Sequence, residues 1–153
     1  METVQVSGFQ VVGLTTVTQN VGDQAAIAIG GMMQRFMGEG LMQQIPHRLS
    51  DEVVSVYCEY EGDYTQPYRV VLGCKVSQVG ELPEGMYAIT IPDGTYTPFI
   101  AAGDLTQGVV AEEWGKIWDT PLDRAYQADF EVYGERAQNI HAAEVDIFIG
   151  LRG

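Results

Sequence analysis

Glu131 sits between Phe130 and Val132 in the strand pattern Ala128-Asp129-Phe130-Glu131-Val132-Tyr133-Gly134, which otherwise looks built for a packed sheet. With Ala143-Glu144-Val145-Asp146-Ile147-Phe148-Ile149 it reads as a hairpin. A carboxylate withdrawn from water is costly unless it is paired or hydrogen-bonded. Set among aromatic rings, Glu131 offers a counter-charge for a cation. The same group could serve as a general base. The plain alternative is a solvated strand glutamate paired with Arg124 or Arg136. Strand alternation puts Glu131 and Tyr133 on one face, and Asp146 and Phe148 on one face of the partner strand.

Other residues could complete such a site. Aromatic faces attract cations at about 0.5–2 kcal/mol per contact. Trp114 and Trp118 fall at helical spacing with Val110 and Ile117, a pattern that equally serves a core. Tyr57, Tyr60, Tyr64 and Tyr68 surround one turn, and Tyr60 is the candidate among them because it mirrors Tyr133 in the repeat described below. Met33 and Phe36 lie on the apolar face of a first helix; methionines fill cores, and flexible thioethers also suit permissive cavities. His47 and His141 are isolated, so no metal site is expected. No nucleophile elbow, phosphate loop or dinucleotide fingerprint occurs. No cofactor is expected, and an enzyme is the less favoured reading. Cys58 and Cys74 read as reduced, partly buried thiols, with a cross-strand disulfide left open.

Composition sets the class. At 153 residues and 46% hydrophobic content the chain can build a real core, and one domain spanning 1–153 is expected. Its 21 acidic against 8 basic residues, net charge −13, argue against direct nucleic-acid binding, which depends on basic surfaces. The field suits attraction of cations. No basic region followed by a long apolar run opens the chain, and no window of about 20 apolar residues occurs. A cytoplasmic protein with no membrane contact is expected.

The elements that must position these residues come in two similar sets. Val4 to Thr18 reads as a strand. A helix at about 23–44 follows, with Asp23 as its cap and Pro46 beyond its end. Its glycines each weaken it by about 1 kcal/mol against alanine. Val53 to Glu61 and Tyr68 to Val79 read as two strands. Short strands at Met86–Ile91 and Tyr96–Ala101 come next, joined at Pro92-Asp93-Gly94. A second helix at about 106–118 is capped by Thr106 and stopped by Pro121, and the terminal hairpin closes the chain. Strand–helix–strand–strand thus occurs twice, in repeats of about 1–79 and 80–153. Tyr57-Cys58-Glu59-Tyr60 lies over Phe130-Glu131-Val132-Tyr133, which places Cys58 at the position of Glu131. An α+β fold follows, with one antiparallel sheet, two helices on one face and a pocket at the pseudo-twofold seam.

This duplicated unit, with its ending Asp129-Phe130-Glu131-Val132-Tyr133 and Glu144-Val145-Asp146-Ile147-Phe148-Ile149, resembles the GyrI-like effector-binding family. These are the ligand domains of AraC- and MerR-type bacterial regulators, and the likeness is nearest to the stand-alone branch carried on integron cassettes. The resemblance covers essentially the whole chain. It implies an aromatic pocket for cationic, lipophilic compounds with a buried glutamate, here Glu131. It carries a helix-end tryptophan onto Trp118 and a last-strand aromatic onto Phe148, where many relatives have a tyrosine able to reach the glutamate. Sensing or sequestering hydrophobic organic cations, alone or with a separate transcription partner, is the implied function. The alternatives are a GyrI-like hydrolase of reactive electrophiles using Glu131, or a gyrase-modulating protein. No helix-turn-helix is expected within these 153 residues.

Overall fold

The computed structural model describes residues 2–152; residues 1 and 153 of the expected 1–153 span lie outside the described residues. In chain order the elements are β1 (Val4–Val6), β2 (Phe9–Thr18), α1 (Gln24–Gly38), β3 (Val53–Cys58), β4 (Tyr68–Val76), β5 (Met86–Ile91), β6 (Gly94–Gly103), α2 (Val109–Trp118), β7 (Arg124–Tyr133) and β8 (Ala143–Leu151). The strands form one antiparallel sheet in the order β1-β6-β8-β7-β3-β4-β2-β5. The α+β fold and its duplication are plain in that order. The units β2-α1-β3-β4 and β6-α2-β7-β8 occupy opposite halves, and β3 meets β7 at the seam.

The strand expected at 4–18 is broken at Ser7-Gly8, while the expected break at Pro92-Asp93 stands between β5 and β6, with β6 starting at Gly94 and running on to Gly103. One register nevertheless runs through both breaks, pairing Val4 with Tyr96, Val6 with Gly94, Phe9 with Ile91 and Leu14 with Met86. The segments 4–14 and 86–96 therefore pair across both breaks, and the sheet curls. Pro92 cannot donate to the ladder, and the Gly8 N–H turns instead to Asp93 Oδ1 at 2.5 Å. Inside the curl pack Val11, Val54, Val56, Tyr96 and Phe130. The other face carries the helices, with Phe36 of α1 over Leu14 and Leu72, and Ile117 of α2 packed with Ile147 and Ile149.

Curling demands a close approach between β2 and β4. Gly13 pairs with Gly73. A Cβ on Gly13 would lie 2.0 Å from the Leu72 carbonyl oxygen, and one on Gly73 would lie 1.9 Å from that of Val12. Backbone cannot move aside as a flexible side chain can. We expect Gly13→Ala to cost the upper part of the ~1–3 kcal/mol typical of overpacking. Urea unfolding checks this; an unchanged midpoint would contradict it.

Both helices are shorter than their patterns suggest. Gly40, at φ +61, turns the chain after Glu39 into a 3-10 turn at Leu41–Gln44. Asp23 holds the N-cap position of α1 without a side-chain cap bond. Before α2, the Thr106 N–H donates to Asp104 Oδ1 within a separate 3-10 turn, and Gly108, at φ +76, starts the helix.

Candidate ligand-binding site

A cavity of about 580 Å³ lies on the helix side of the seam. Small residues of α1 form one wall, notably Ala25, Ala26 and Gly30, and α2 supplies Trp114 and Trp118 to another. The sheet contributes Tyr57 from β3 and Glu131 and Tyr133 from β7. Trp118, 37% exposed, stacks on Tyr64 with ring centroids 5.2 Å apart. Tyr57 meets the Trp114 ring edge-on at 5.2 Å. The resulting surface is apolar and aromatic, with a few placed polar groups, and its volume falls in the range of small-molecule sites.

Glu131 is 1% exposed. Its Oε1 accepts from the Tyr133 hydroxyl at 2.9 Å; its Oε2 accepts from the Tyr57 hydroxyl at 3.0 Å and from Trp114 Nε1. Among the described residues no basic side chain pairs with it. Arg124 pairs with Asp129, and Arg136 pairs with Asp146 and Glu144. The solvated-glutamate alternative is thereby set aside. Burial raises the Glu131 carboxyl above the usual range, while the three donors pull it partway back. Burial first, then the charge of Glu131, push the Tyr57 and Tyr133 phenols well up, so both remain hydroxyl donors.

This raised carboxyl has a consequence for stability. Between the unfolded and the raised folded pKa the native state binds more protons than the unfolded chain, so stability falls as pH rises through that window. We expect Glu131→Gln to melt above the parent on the alkaline side of the window and to converge with it on the acid side. Melting both proteins across a pH series checks this; a difference independent of pH would contradict it.

A second buried carboxylate lies on the same face of β7. Asp129 is fully buried; its Oδ1 accepts from the Gly150 N–H and its Oδ2 from Arg124 Nη2, both at 2.8 Å. The Tyr60 hydroxyl also donates to Oδ2, at 2.5 Å. Burial opposes the charge on Arg124, and Asp129 with Tyr60 more than offsets it, holding the guanidinium above its ordinary value.

The structure gathers Glu131, Tyr133, Trp114, Trp118 and Tyr60 around this cavity. Three other candidates lie elsewhere. Phe148 pairs with Phe130, stacked at 4.8 Å inside the curl, because β8 registers Ile147 rather than Phe148 against Glu131. A tyrosine at this position would place its hydroxyl on the wrong face; Tyr57 and Tyr133 supply that contact. Met33 and Phe36 belong to the core beside Leu72. From Ile29, which lines the cavity, to Phe36 the helix advances about 10 Å, carrying its apolar stripe beyond the cavity.

Cys58 is not the counterpart of Glu131. It packs inside the curl with Phe130, and a one-residue shift in register moves a side chain to the other face. The helix-facing residue beside it is Tyr57. Cys58 and Cys74 are free and buried in separate clusters, and burial pushes their thiols up to about 12 and about 11. Sequence reasoning passed over Tyr57, Asp129 and Arg124 as site residues. Alternation from Glu131 would have found Asp129, and the tyrosine cluster already contained Tyr57.

A curled, duplicated sheet with a buried carboxylate at an aromatic seam cavity defines a GyrI-like effector-binding protein. The chain belongs to the family of integron-associated effector-binding proteins, which it matches over residues 2–151. It is similar to the integron cassette protein VCH_CASS2 from the mobile metagenome of Vibrio cholerae. The two are 26% identical, the superposition covers 99% of this chain and 95% of that one, and the TM-score is 0.77. A structure of SAV2435 bound to tetraphenylphosphonium shares the fold, with TM-score 0.79 and 15% identity, covering 99% and 93% of the chains. YobU of Bacillus subtilis (strain 168), named as a candidate transcriptional regulator, is 26% identical over 102 residues; the match spans 65% of this chain and 64% of YobU. Among the described residues no helix is long and apolar enough to cross a membrane.

Proposed function

We propose that this effector-binding protein takes bulky, lipophilic organic cations into the seam cavity, with Glu131 as counter-charge, and acts by sensing or sequestering them. One observation carries the reading: a buried carboxylate, held by three neutral donors and by no basic side chain among the described residues, faces an aromatic cavity. A lone buried charge is unfavourable in the empty protein and becomes favourable once a cation arrives. The aromatic walls add cation–π attraction and select shape without demanding a detailed hydrogen-bond pattern. The tetraphenylphosphonium complex of a protein with this fold supports the same class of ligand.

A thermal-shift screen of lipophilic cations against size-matched neutral and anionic compounds tests the reading. Cations should raise the melting temperature in a concentration-dependent way, because a ligand that binds only the native state stabilises it. Equal shifts from the neutral compounds would contradict the proposal.

A further inference from the structure

We infer that the cavity reads two ends of its ligand, and that the cation it holds carries a carboxylate which accepts hydrogen bonds from Arg124. The inference rests on the cation reading above and adds a second recognition group to it.

Arg124 lines the same cavity as Glu131, and its side chain is 5% exposed. Only Nη2 has an acceptor, on Asp129; Nε and Nη1 have no partner among the described residues. Guanidinium donors lie in the plane of the group. The ring of Tyr126, 4.4 Å away, and that of Trp114, 6.0 Å away, attract the charge and provide no in-plane acceptor. Nor is Asp129 free to serve these donors. It already accepts from Gly150, Tyr60 and Nη2. Buried donors without partners are rare in folded proteins; an ordered water, an ion or a ligand group accounts for them, and on a residue that lines a cavity a ligand acceptor can take that place.

The two poles are joined through one residue. Trp114 donates its indole N–H to Glu131 while its ring lies beside Arg124. A ligand spanning that indole therefore meets an acceptor at one end and donors at the other. The donor pole is also fixed in place. Strand pairing is irregular between Arg124 and Asp129, and Tyr126 takes a φ of +53 there. Such an irregularity re-aims side chains at the edge of a site. Planar guanidinium matches carboxylate geometry better than it matches any other common acceptor except phosphate.

The test uses a matched pair of dyes: a cationic rhodamine whose pendant phenyl ring carries a free carboxylate, and the methyl ester of the same dye. Calorimetric titration of the wild-type protein should show the carboxylate form binding about tenfold tighter or more, as a charged hydrogen bond allows. R124Q/D129N removes both members of the ion pair together, so no lone carboxylate is left buried. In that variant the preference for the carboxylate dye should vanish. R124K, which keeps the charge and loses the planar fork, serves if the double variant does not fold, and should reduce the preference several-fold. A wild-type protein without the preference, a preference that survives in the double variant, or an undiminished preference in R124K overturns the inference. Glu131→Gln separates it from the parent reading. If the ester dye binds equally well to that variant, the cation reading fails instead. If neither dye binds the wild-type protein, both are refuted.

Discussion

Glu131→Gln should weaken the binding of a lipophilic cation such as tetraphenylphosphonium by about 2–4 kcal/mol, by analogy with truncating one side of a buried charge pair. The amide keeps the size and shape of the carboxylate and one accepting oxygen, which can face Tyr57 and Trp114 while its NH2 donates to the Tyr133 hydroxyl oxygen. It removes the charge and exchanges one acceptor for a donor. The cation would then enter an apolar cavity with nothing to compensate its lost hydration. Glu144→Gln is the control. Glu144 is exposed on β8, 3.7 Å from Arg136, and its loss should matter far less. Calorimetric titration of both variants decides the matter. Unchanged affinity in Glu131→Gln, or an equal loss in Glu144→Gln, would place the anionic site elsewhere.

Arg124→Met alone should lower stability by about 3–5 kcal/mol, the usual cost of breaking a buried ion pair from one side. Asp129 is fully buried and would keep its contacts from Gly150 and Tyr60 while losing its only cation among the described residues. Its carboxyl, already raised by burial against the pull of Arg124, would rise further. Part of the lost stability should therefore return as pH falls and the carboxyl takes up a proton. Adding Asp129→Asn should restore most of it at neutral pH, since neither charge then remains. Urea denaturation of the single and double variants measures this. A loss below about 1 kcal/mol in the single variant would mean that the pair contributes little.

The repeat, the sheet and the two helices were legible because each rests on local pattern. The period-2 run around Phe130-Glu131-Val132 and the helical spacing of Val110, Trp114 and Ile117 survive in the structure as β7 and α2. Glu131 was legible as a polar residue in an apolar strand. What could not be read was register. Phe148 and Cys58 were placed on the wrong face because pairing between strands decides which set of alternating residues looks inward. The turn signal Pro92-Asp93-Gly94 marked one break, but the matching break at Ser7-Gly8 depends on a bent ladder that joins it to residues more than eighty positions away. The Arg124–Asp129 pair depends on an irregularity in β7 and on Gly150 of the neighbouring strand, neither of which has a sequence signature.

A cavity that selects positive charge through Glu131 must distinguish ions by sign. Calorimetric titration with tetraphenylphosphonium and with tetraphenylborate tests this most directly, because the two ions share size and shape and differ in sign. The cation should bind with a micromolar constant, about −8 kcal/mol, and the borate should bind at least a hundredfold more weakly or not at all. Equal affinity for the two ions would show that the cavity reads apolar shape alone and that Glu131 is no counter-charge.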